Sequence, residues 1–473
     1  MSIQSGISTT ENNEIEPLES DAPLIVYIDF KSPYAYLSVA PTREMLSKLD
    51  LIADWRPFVL DIPSYLGSAK LDKGGKKVAK QDRTEEQWSG VKYAYFDCRR
   101  YANLSGMTIR GTIKIWNTNL PAIGMLWIKQ FSDLTEQCSK GSLLEKYIDA
   151  IYDPFWKREL DVEDLSEVLK VLKAIGAPTE GFSDFVKGKG ASLNESLQES
   201  AFDAGIFGVP TYILPNESVN DPKHEKFFGR EHLPRISWLL TGRDGEAPNT
   251  RYDIDDKLDR KALTKSAADN LSDISVLTTF FDFKSPQSYL ALNPIKSLKK
   301  DGVVINWKPF SSKPLKVPDK EIPNEDRGVK HRRIRGEYIA NDINRYAPHE
   351  LKDIYSESDC QFPDMGLLWL QKELKADSDL IDSYVTRMFK YIWQEVGPIE
   401  SAKDIEKILV ELGVKAEGWN EYSTNLGITH LSEVRSEIDP KSINVTPVFF
   451  IGDEPFQGHS QLPLIAARLK AGI

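Results

Sequence analysis

The chain of 473 residues contains only three cysteines, Cys98, Cys138 and Cys360, and no two of them form a Cys-x-x-Cys pair. An odd count without that spacing predicts neither a disulfide framework nor a dithiol redox centre. Cysteine usage of this kind is typical of a reducing compartment, so we expect a cytoplasmic protein. The six histidines lack the short ligand spacings of zinc sites, and we therefore expect no bound metal.

The sequence also lacks long apolar runs and an excess of positive charge. No stretch approaches the ~18 uninterrupted apolar residues that a membrane span requires. With 60 Lys and Arg against 71 Asp and Glu, the net charge of -11 disfavours a nucleic-acid partner. Residues 1–23 are acidic and polar, without the apolar or arginine-rich pattern of a targeting segment. We expect them to form a disordered tail.

What the sequence does contain is an internal repeat, because the same short motifs occur in the same order in both halves. Six co-linear matches indicate a tandem duplication. The matched motifs are Asp29-Phe30-Lys31-Ser32-Pro33 with Asp282-Phe283-Lys284-Ser285-Pro286, Trp55-Arg56-Pro57-Phe58 with Trp307-Lys308-Pro309-Phe310, Tyr93/Asp97/Arg100 with Tyr338/Asp342/Arg345, Pro121/Gly124 with Pro363/Gly366, Trp156 with Trp393, and Val209-Pro210 with Thr446-Pro447.

The repeat sets the predicted domain boundaries. We expect a first domain over 24–241, a linker over 242–273 and a second domain over 274–473. Each copy opens with a short β-branched and aromatic run followed by Ser-Pro, which predicts a strand and then a helix with serine at the N-cap. Helical spacing fills the middle of each copy, about 84–190 and about 325–425, and strands return at 211–214 and 448–451. A βαβ opening and a ββα closing around inserted helices predict an α/β class, thioredoxin-like fold.

Three motifs of the first copy resemble a known family. They are Asp-Phe-x-Ser-Pro-Tyr-x-Tyr-Leu from Asp29, Tyr-x3-Asp-x2-Arg-Tyr-Ala from Tyr93, and Phe-Gly-Val-Pro-Thr from Phe207. They resemble the DsbA-like group of thioredoxin-fold proteins that contains 2-hydroxychromene-2-carboxylate isomerases and kappa-class glutathione transferases, and look most like the isomerase branch. The resemblance covers nearly all of both copies and implies two tandem DsbA-like thioredoxin folds, each with an inserted helical domain.

The resemblance implies glutathione as the cofactor, with Ser32 and Ser285 as the catalytic serines. A thiolate is stabilised by a hydroxyl donor and by the unpaired N–H groups at a helix N-terminus, which is where both serines are expected. Dithiol members of the fold carry Cys-x-x-Cys at this place, so we expect no disulfide exchange by the protein itself. The implied glutathione-binding residues are Pro33, Tyr34, Lys92, Val209, Pro210, Gly229 and Glu231 in the first copy, and Arg335, Thr446 and Pro447 in the second.

Helical spacing also places three residues of each copy on one helix face: Tyr93, Asp97 and Arg100, and Tyr338, Asp342 and Arg345. One interpretation is an ion pair and a packed ring that hold the helical insertion. The resemblance favours the other, in which this face borders the pocket. The copies differ where the acidic Glu231 of the first is matched by Ser460 of the second, and the first copy is therefore expected to be the better-equipped site.

The function that follows is a glutathione-dependent isomerase acting on a conjugated or aromatic carboxylate, a small-molecule substrate. Two alternatives remain open: a kappa-like glutathione transferase, and a non-catalytic binding scaffold with tryptophans such as Trp116 and Trp127 in its core and partner surface. Relatives of the family are commonly dimers of single domains, so the fused copies are expected to form an intramolecular pseudo-dimer, which a linker of ~30 residues permits.

Overall fold

A computed structural model describes residues 15–71, 78–215, 224–255, 257–267, 276–375, 377–395, 397, 399 and 401–473. The chain divides into two compact units. The first contains residues 1–87, 91–250 and 323–334, and the second contains residues 88–90, 251–322 and 335–473. Among the described residues, no helix is long and apolar enough to cross a membrane.

The first unit is built on a four-stranded sheet. Its strands run in the order β2-β1-β5-β6, with β1 parallel to β2 and the other two pairs antiparallel. Every residue of β1, β2 and β5 is buried, so these strands form the core. A separate hairpin, β3–β4, was not anticipated by the sequence. The strands are β1 (Ile25–Ile28), β2 (Asp54–Pro57), β3 (Ala69–Leu71), β4 (Val78–Gln81), β5 (Thr211–Leu214) and β6 (Glu225–Phe228).

The second unit repeats this sheet, with the order β10-β9-β7-β8 and the same parallel and antiparallel pairing. The strands are β7 (Val276–Phe281), β8 (Val304–Pro309), β9 (Val448–Ile451) and β10 (Glu454–Gln457). Two α/β thioredoxin-like folds, predicted from the repeated motifs, are therefore present.

Most helices of each copy lie, along the chain, between the second and third strand of its four-stranded sheet. Those of the first copy and linker are α1 (Pro33–Leu49), α2 (Ile62–Leu66), α3 (Glu85–Leu104), α4 (Asn119–Ile128), α5 (Leu134–Cys138), α6 (Leu143–Trp156), α7 (Leu165–Ala174), α8 (Phe182–Lys187), α9 (Lys189–Asp203), α10 (Leu233–Leu240) and α11 (Arg260–Ser266). Those of the second copy are α12 (Pro286–Lys300), α13 (Arg327–Tyr346), α14 (Gln361–Leu368), α15 (Ser378–Lys390), α16 (Ala402–Glu411), α17 (Trp419–Thr424), α18 (Leu426–Arg435) and α19 (Leu462–Ala471).

A tyrosine holds the Pro-x-x-Gly motif in place in each copy. The hydroxyl of Tyr147 donates to the carbonyl of Pro121 at 3.0 Å, and a Cβ at Gly124 would collide with the same hydroxyl. In the second copy, Tyr384 donates to the carbonyl of Pro363 at 2.8 Å and packs against Gly366 in the same way. The glycine is needed because the ring lies where a side chain would otherwise stand.

Three boundaries differ from the prediction. Residues 1–14 of the expected tail lie outside the described residues, but the part from Ile15 onward is packed, since the guanidinium of Arg56 donates to the carbonyls of Glu16 and Glu19, both at 2.6 Å. The buried positive charge of Arg56 needs these acceptors, a requirement that local composition does not reveal. The inserted helices continue to Asp203 and Arg435, beyond the predicted ends near 190 and 425.

Candidate functional site

The serine of the first Ser-Pro motif caps the long helix α1. Ser32 is buried, its Oγ accepts a hydrogen bond from the Ala35 N–H at 3.2 Å, and Pro33 occupies the first helical turn. The Ser32 hydroxyl donates in turn to the carbonyl of Val209 at 3.4 Å. The structure thus brings the predicted serine, at the N-terminus of a 17-residue helix, against the loop that carries Val209.

That loop is the predicted proline turn. The Val209–Pro210 peptide bond is cis, and the Pro210 carbonyl accepts from the Gly229 N–H at 3.0 Å. The N–H of Val209 has no hydrogen-bond partner among the described residues. A backbone group in this state, next to Ser32, can pair with an extended peptide.

The second copy has the same frame with one difference. Ser285 caps α12 and accepts from the Ser288 N–H at 3.2 Å, and the Thr446–Pro447 peptide bond is cis. Here the residue before the proline contributes a hydroxyl, and Thr446 Oγ1 donates to Ser285 Oγ at 2.7 Å. Ser285 therefore accepts two hydrogen bonds where Ser32 accepts one.

The predicted acidic residue lies in a short turn that packs against α1. Glu231 belongs to the 3-10 turn Arg230–His232, and its carboxylate lies over Gly229, where a Cβ would collide with it. Gly229 has a φ of 111°, a conformation open mainly to glycine. The equivalent turn of the second copy has Gly458 at φ 84° and Ser460, whose carbonyl accepts from the Tyr252 N–H at 2.8 Å.

The predicted face of α3 forms an ion pair that also reaches the start of α1. Asp97 and Arg100 are joined at 2.7 Å with side chains only 1% exposed, and the hydroxyl of Tyr34 donates to the second Asp97 oxygen at 3.2 Å. The ion pair expected from the first interpretation is therefore present, and the same carboxylate also binds Tyr34 beside Ser32. Tyr93 is half-buried on the same helix.

The matching face of α13 is more open. Arg345 and Asp342 are joined at 2.6 Å with side chains 18% and 23% exposed, and Tyr338 donates to Asp342 at 3.4 Å. The two basic residues proposed to meet glutathione, Lys92 and Arg335, are both exposed on their helices. Among the described residues, the side chains of Ser32 and Ser285 make no hydrogen bond to either of them.

The sequence did not single out the role of Asp29. Its two carboxylate oxygens accept from Thr118 Oγ1 at 2.5 Å and from the Leu60 N–H at 2.7 Å, and Lys31 Nζ lies 3.5 Å away. Asp29 therefore ties together the segments after β1, after β2 and before α4, and so fixes the backbone that leads to Ser32. The Asp-Phe-x-Ser motif contained this residue, but nothing in its spacing indicated a buried junction.

Two cysteines are described by the structure, and neither is placed to act as a nucleophile. Cys98 and Cys360 are free and buried. Burial raises the pKa of both thiols well above the usual range, with the charge of Asp97 adding to the effect at Cys98 and that of Asp282 at Cys360. Both therefore stay protonated near neutral pH. The side chain of Cys138 lies outside the described residues.

An open cavity of about 240 Å³ adjoins the end of α6. It is lined by Trp116, Phe155 and Trp156, together with Arg110 and Arg158. The Arg158 guanidinium donates to the Gly111 carbonyl, whereas the Arg110 guanidinium has no ion-pair partner among the described residues. The lining also includes Glu159 and Asp161, so the cavity carries charges of both signs. Its aromatic walls suit a planar ligand, and Arg110 can meet an anionic group on that ligand.

Helix α6 connects this cavity to the serine. The Tyr152 hydroxyl donates to the carbonyl of Asp29 at 2.9 Å, three residues before Ser32, and Phe155 and Trp156 follow in the last turn of the same helix. The cavity wall is thus one helical turn, or about 5 Å, beyond a residue that is bonded to the Ser32 segment.

Fold and site together define a tandem thioredoxin-fold protein with serine at the position that caps the first helix. The model of the DSBA-like thioredoxin domain matches residues 23–238 and again residues 276–470. The chain belongs to this family, and the tandem duplication is confirmed.

Several solved structures resemble the chain at low identity. A 2-hydroxychromene-2-carboxylate isomerase is 20% identical, covers 41% of this chain and 94% of its own, and has a TM-score of 0.31. A probable DsbA oxidoreductase from Streptomyces coelicolor is 17% identical over 50% of this chain and 94% of its own, with a TM-score of 0.34. The thiol-disulfide exchange protein alpha-DsbA2 from Wolbachia pipientis is 14% identical over 43% of this chain and 83% of its own, with a TM-score of 0.26. No curated protein sequence matches the chain significantly.

Proposed function

We propose that the chain is a glutathione-dependent isomerase that acts on a conjugated or aromatic carboxylate, with its main site in the first copy. The observation that carries this proposal is the position of Ser32, which caps α1 and contacts the Val209 carbonyl at 3.4 Å. A serine there supplies a hydroxyl donor beside a helix N-terminus without supplying a redox thiol of its own.

The residues around Ser32 fit a glutathione molecule. When bound, glutathione supplies a thiolate that can add reversibly to a conjugated double bond and so permit rotation about it. The Val209 N–H, without a partner among the described residues, would pair with the peptide backbone, and the Glu231 carboxylate would meet the ammonium group of the γ-glutamyl end. A reducing compartment such as the cytoplasm suits a cofactor that must stay reduced.

Ser32 is already oriented for a donor role. Its Oγ accepts the Ala35 N–H, and its proton is directed to the Val209 carbonyl over a long 3.4 Å contact. A hydrogen bond of that length is weak, so the hydroxyl can turn to a nearby thiolate at little cost. The partial positive charge at the start of α1 favours the same anion.

The cavity at the end of α6 is the proposed site of the acceptor substrate. Trp116 and Phe155 provide flat apolar walls with ring centroids 5.7 Å apart, and Lys114 lies 4.3 Å from the Trp116 ring. Arg110, exposed and without an ion-pair partner among the described residues, would pair with a carboxylate.

The test is a screen of unsaturated and aromatic carboxylates with the purified full-length chain in the presence of glutathione. We expect at least one compound to isomerise while the total free glutathione, followed by thiol titration, stays constant. Consumption of glutathione in proportion to product would instead establish the kappa-like transferase alternative. Ser32→Ala is the matched control and should abolish most of the turnover.

The scaffold alternative predicts no glutathione binding at all. The tryptophans that it would place on a partner surface are largely internal, since Trp127, Trp156, Trp369 and Trp393 are each less than 9% exposed. Calorimetry with glutathione distinguishes this alternative, because a chain that binds none would contradict both enzyme proposals.

A further inference from the structure

A segment that the repeat assigns to the second copy belongs to the first unit. Residues 323–334, with the first turns of α13, are grouped there. Within this unit the Arg327 guanidinium lies 4.2 Å from the Phe202 ring and 3.3 Å from the carboxylate of Asp61, and Lys330 pairs with Asp203 at 2.5 Å. These contacts anchor the segment at α2 and at the end of α9.

His331 is the residue of this segment that reaches towards the candidate site. It is 6% exposed, and its ring stacks on Tyr65 with centroids 3.7 Å apart and planes 4° from parallel. Its edge meets the ring of Phe207 at 5.8 Å. Its Nε2 lies 3.1 Å from the Phe207 carbonyl, and because a carbonyl can only accept, Nε2 carries the proton.

Phe207 opens the loop that ends at Pro210. Its ring packs at 4.8 Å on that of Phe228, and a Cβ at Gly208 would collide with the same ring. Two residues further on, Val209 carries the carbonyl that accepts from Ser32 and the N–H without a partner among the described residues. The loop therefore contacts His331 at Phe207 and, through a weaker hydrogen bond, Ser32 at Val209.

We propose that His331 is a positioning residue of the first site. By donating to the Phe207 carbonyl, it fixes the orientation of the peptide groups up to Val209, so that the Val209 N–H is presented to a bound peptide before the ligand arrives. A preorganised loop loses less conformational freedom on binding, which strengthens binding without a direct contact. The part of the proposal that concerns glutathione rests on the proposed function, whereas the part that concerns loop order does not.

Two substitutions separate the hydrogen bond from the ring packing. His331→Phe keeps a flat ring between Tyr65 and Phe207 but removes the donor. His331→Gln loses the ring but keeps an amide N–H of similar reach. Lys330→Met is the matched control, because it removes an anchor of the same segment at Asp203 without touching the loop.

The first measurement is amide hydrogen exchange of the full-length chain over peptides covering residues 204–212, with β1 as the internal reference. We expect His331→Phe to speed exchange in the loop by about tenfold while β1 is unchanged, because a buried carbonyl has lost its donor. His331→Gln should restore part of the protection, and Lys330→Met should leave the loop as in the parent chain. Equal exchange in the parent and His331→Phe, or an equal rise in Lys330→Met, overturns the proposal.

The second measurement is calorimetry with S-methylglutathione, which carries the peptide without the thiol. We expect His331→Phe to weaken its binding about fivefold, with partial rescue in His331→Gln. If the parent chain binds none, the proposed function fails while the exchange result still decides the role of His331. If the parent binds and His331→Phe binds equally well, the positioning role fails and the proposed function stands. If His331→Phe does not fold, the exchange of His331→Gln, which keeps the donor without the ring, decides: loop protection retained wholly or in part supports the proposal, and its complete loss overturns it.

Discussion

The hydroxyl of Thr446 donates to Ser285 Oγ at 2.7 Å, whereas at the matching place Val209 offers Ser32 only a carbonyl, at 3.4 Å. The two helices start alike, yet the residue before each proline changes the hydrogen bonding of the serine. Together with Glu231 in one turn and Ser460 in the other, this makes the two copies unequal by structure as well as by sequence.

The first prediction concerns this inequality. We expect calorimetry to find about one glutathione per chain at millimolar concentration, bound in the first copy. Glu231→Gln should weaken binding by on the order of a hundredfold if the ammonium group is desolvated there, because one charged partner is lost. Ser460→Ala, the matched change in the second copy, should have little effect. Two sites of equal affinity would show that Glu231 does not distinguish the copies.

The second prediction concerns the thiol of bound glutathione. Ser32→Ala should raise its pKa, because the hydroxyl donor to the thiolate is removed, and the thiolate absorbance in the ultraviolet should shift to higher pH. Ser285→Ala is the control in the same molecule and should leave the titration nearly unchanged. The same shift from both substitutions would contradict the assignment of the main site to the first copy.

The third prediction concerns redox chemistry. With serine capping α1 and α12, and with Cys98 and Cys360 buried, the chain should not catalyse insulin reduction by dithiothreitol. The comparison is a variant in which the three cysteines are replaced by alanine. A rate for the parent chain above that of the variant would mean that a thiol is reactive after all.

The fourth prediction concerns stability in the first unit. Asp97→Asn leaves the buried Arg100 guanidinium without its charge partner, and we expect a loss of about 3 kcal/mol in the free energy of unfolding. Asp342→Asn removes the equivalent charge from a pair about a fifth exposed and should cost about 1 kcal/mol or less. Urea denaturation of both variants measures the difference, and equal losses would show that burial of the first pair is unimportant.

The fifth prediction concerns pH. Burial, aided by the charge of Asp282, raises the pKa of Asp364 to about 8 despite the opposing effect of Arg435, 2.7 Å away. The folded chain therefore holds a proton that the unfolded chain releases above its ordinary pKa near 4. Stability should fall as pH rises from about 4 to about 8, since the unfolded state binds fewer protons in this window.

Asp364→Asn should flatten that fall, as followed by the thermal midpoint between pH 5 and pH 8.5. Asp359→Asn is the control, because it removes the exposed partner of the same arginine, 3.1 Å from Arg435. An unchanged slope in Asp364→Asn would mean that Asp364 is ionised throughout.

Local sequence patterns were sufficient to predict much of the fold. Strands 211–214 and 448–451 were predicted with the ends that the structure has, because short β-branched and aromatic runs mark them. The serine caps followed from Ser-Pro. In contrast, His331 lies in a strongly basic stretch, which is typical of a solvent-exposed helix face. Its buried hydrogen bond depends on the Phe207 carbonyl, more than 120 positions away in the sequence.

Dependence on residues far away in the sequence also explains which interactions of the site the sequence did not predict. The repeat matched Thr446 to Val209. The hydrogen bond from the Thr446 hydroxyl to Ser285 forms only in the folded chain, where the residues before β9 lie against the start of α12. Asp364 stands where the first copy has Ala122, between the matched Pro363 and Gly366, and only tertiary packing shows that its carboxyl is fully buried.

The contact of Tyr147 with Gly124, repeated by Tyr384 and Gly366, has a practical consequence for experiments. Since the same tyrosine-glycine contact is present in both copies, a substitution near one serine can be paired with the equivalent substitution near the other. Effects of temperature, buffer, preparation and handling then act on both members of a pair at once. The difference in effect between two equivalent substitutions then reports the chemistry of the positions at which the copies differ. The second copy therefore serves as an internal control for the first.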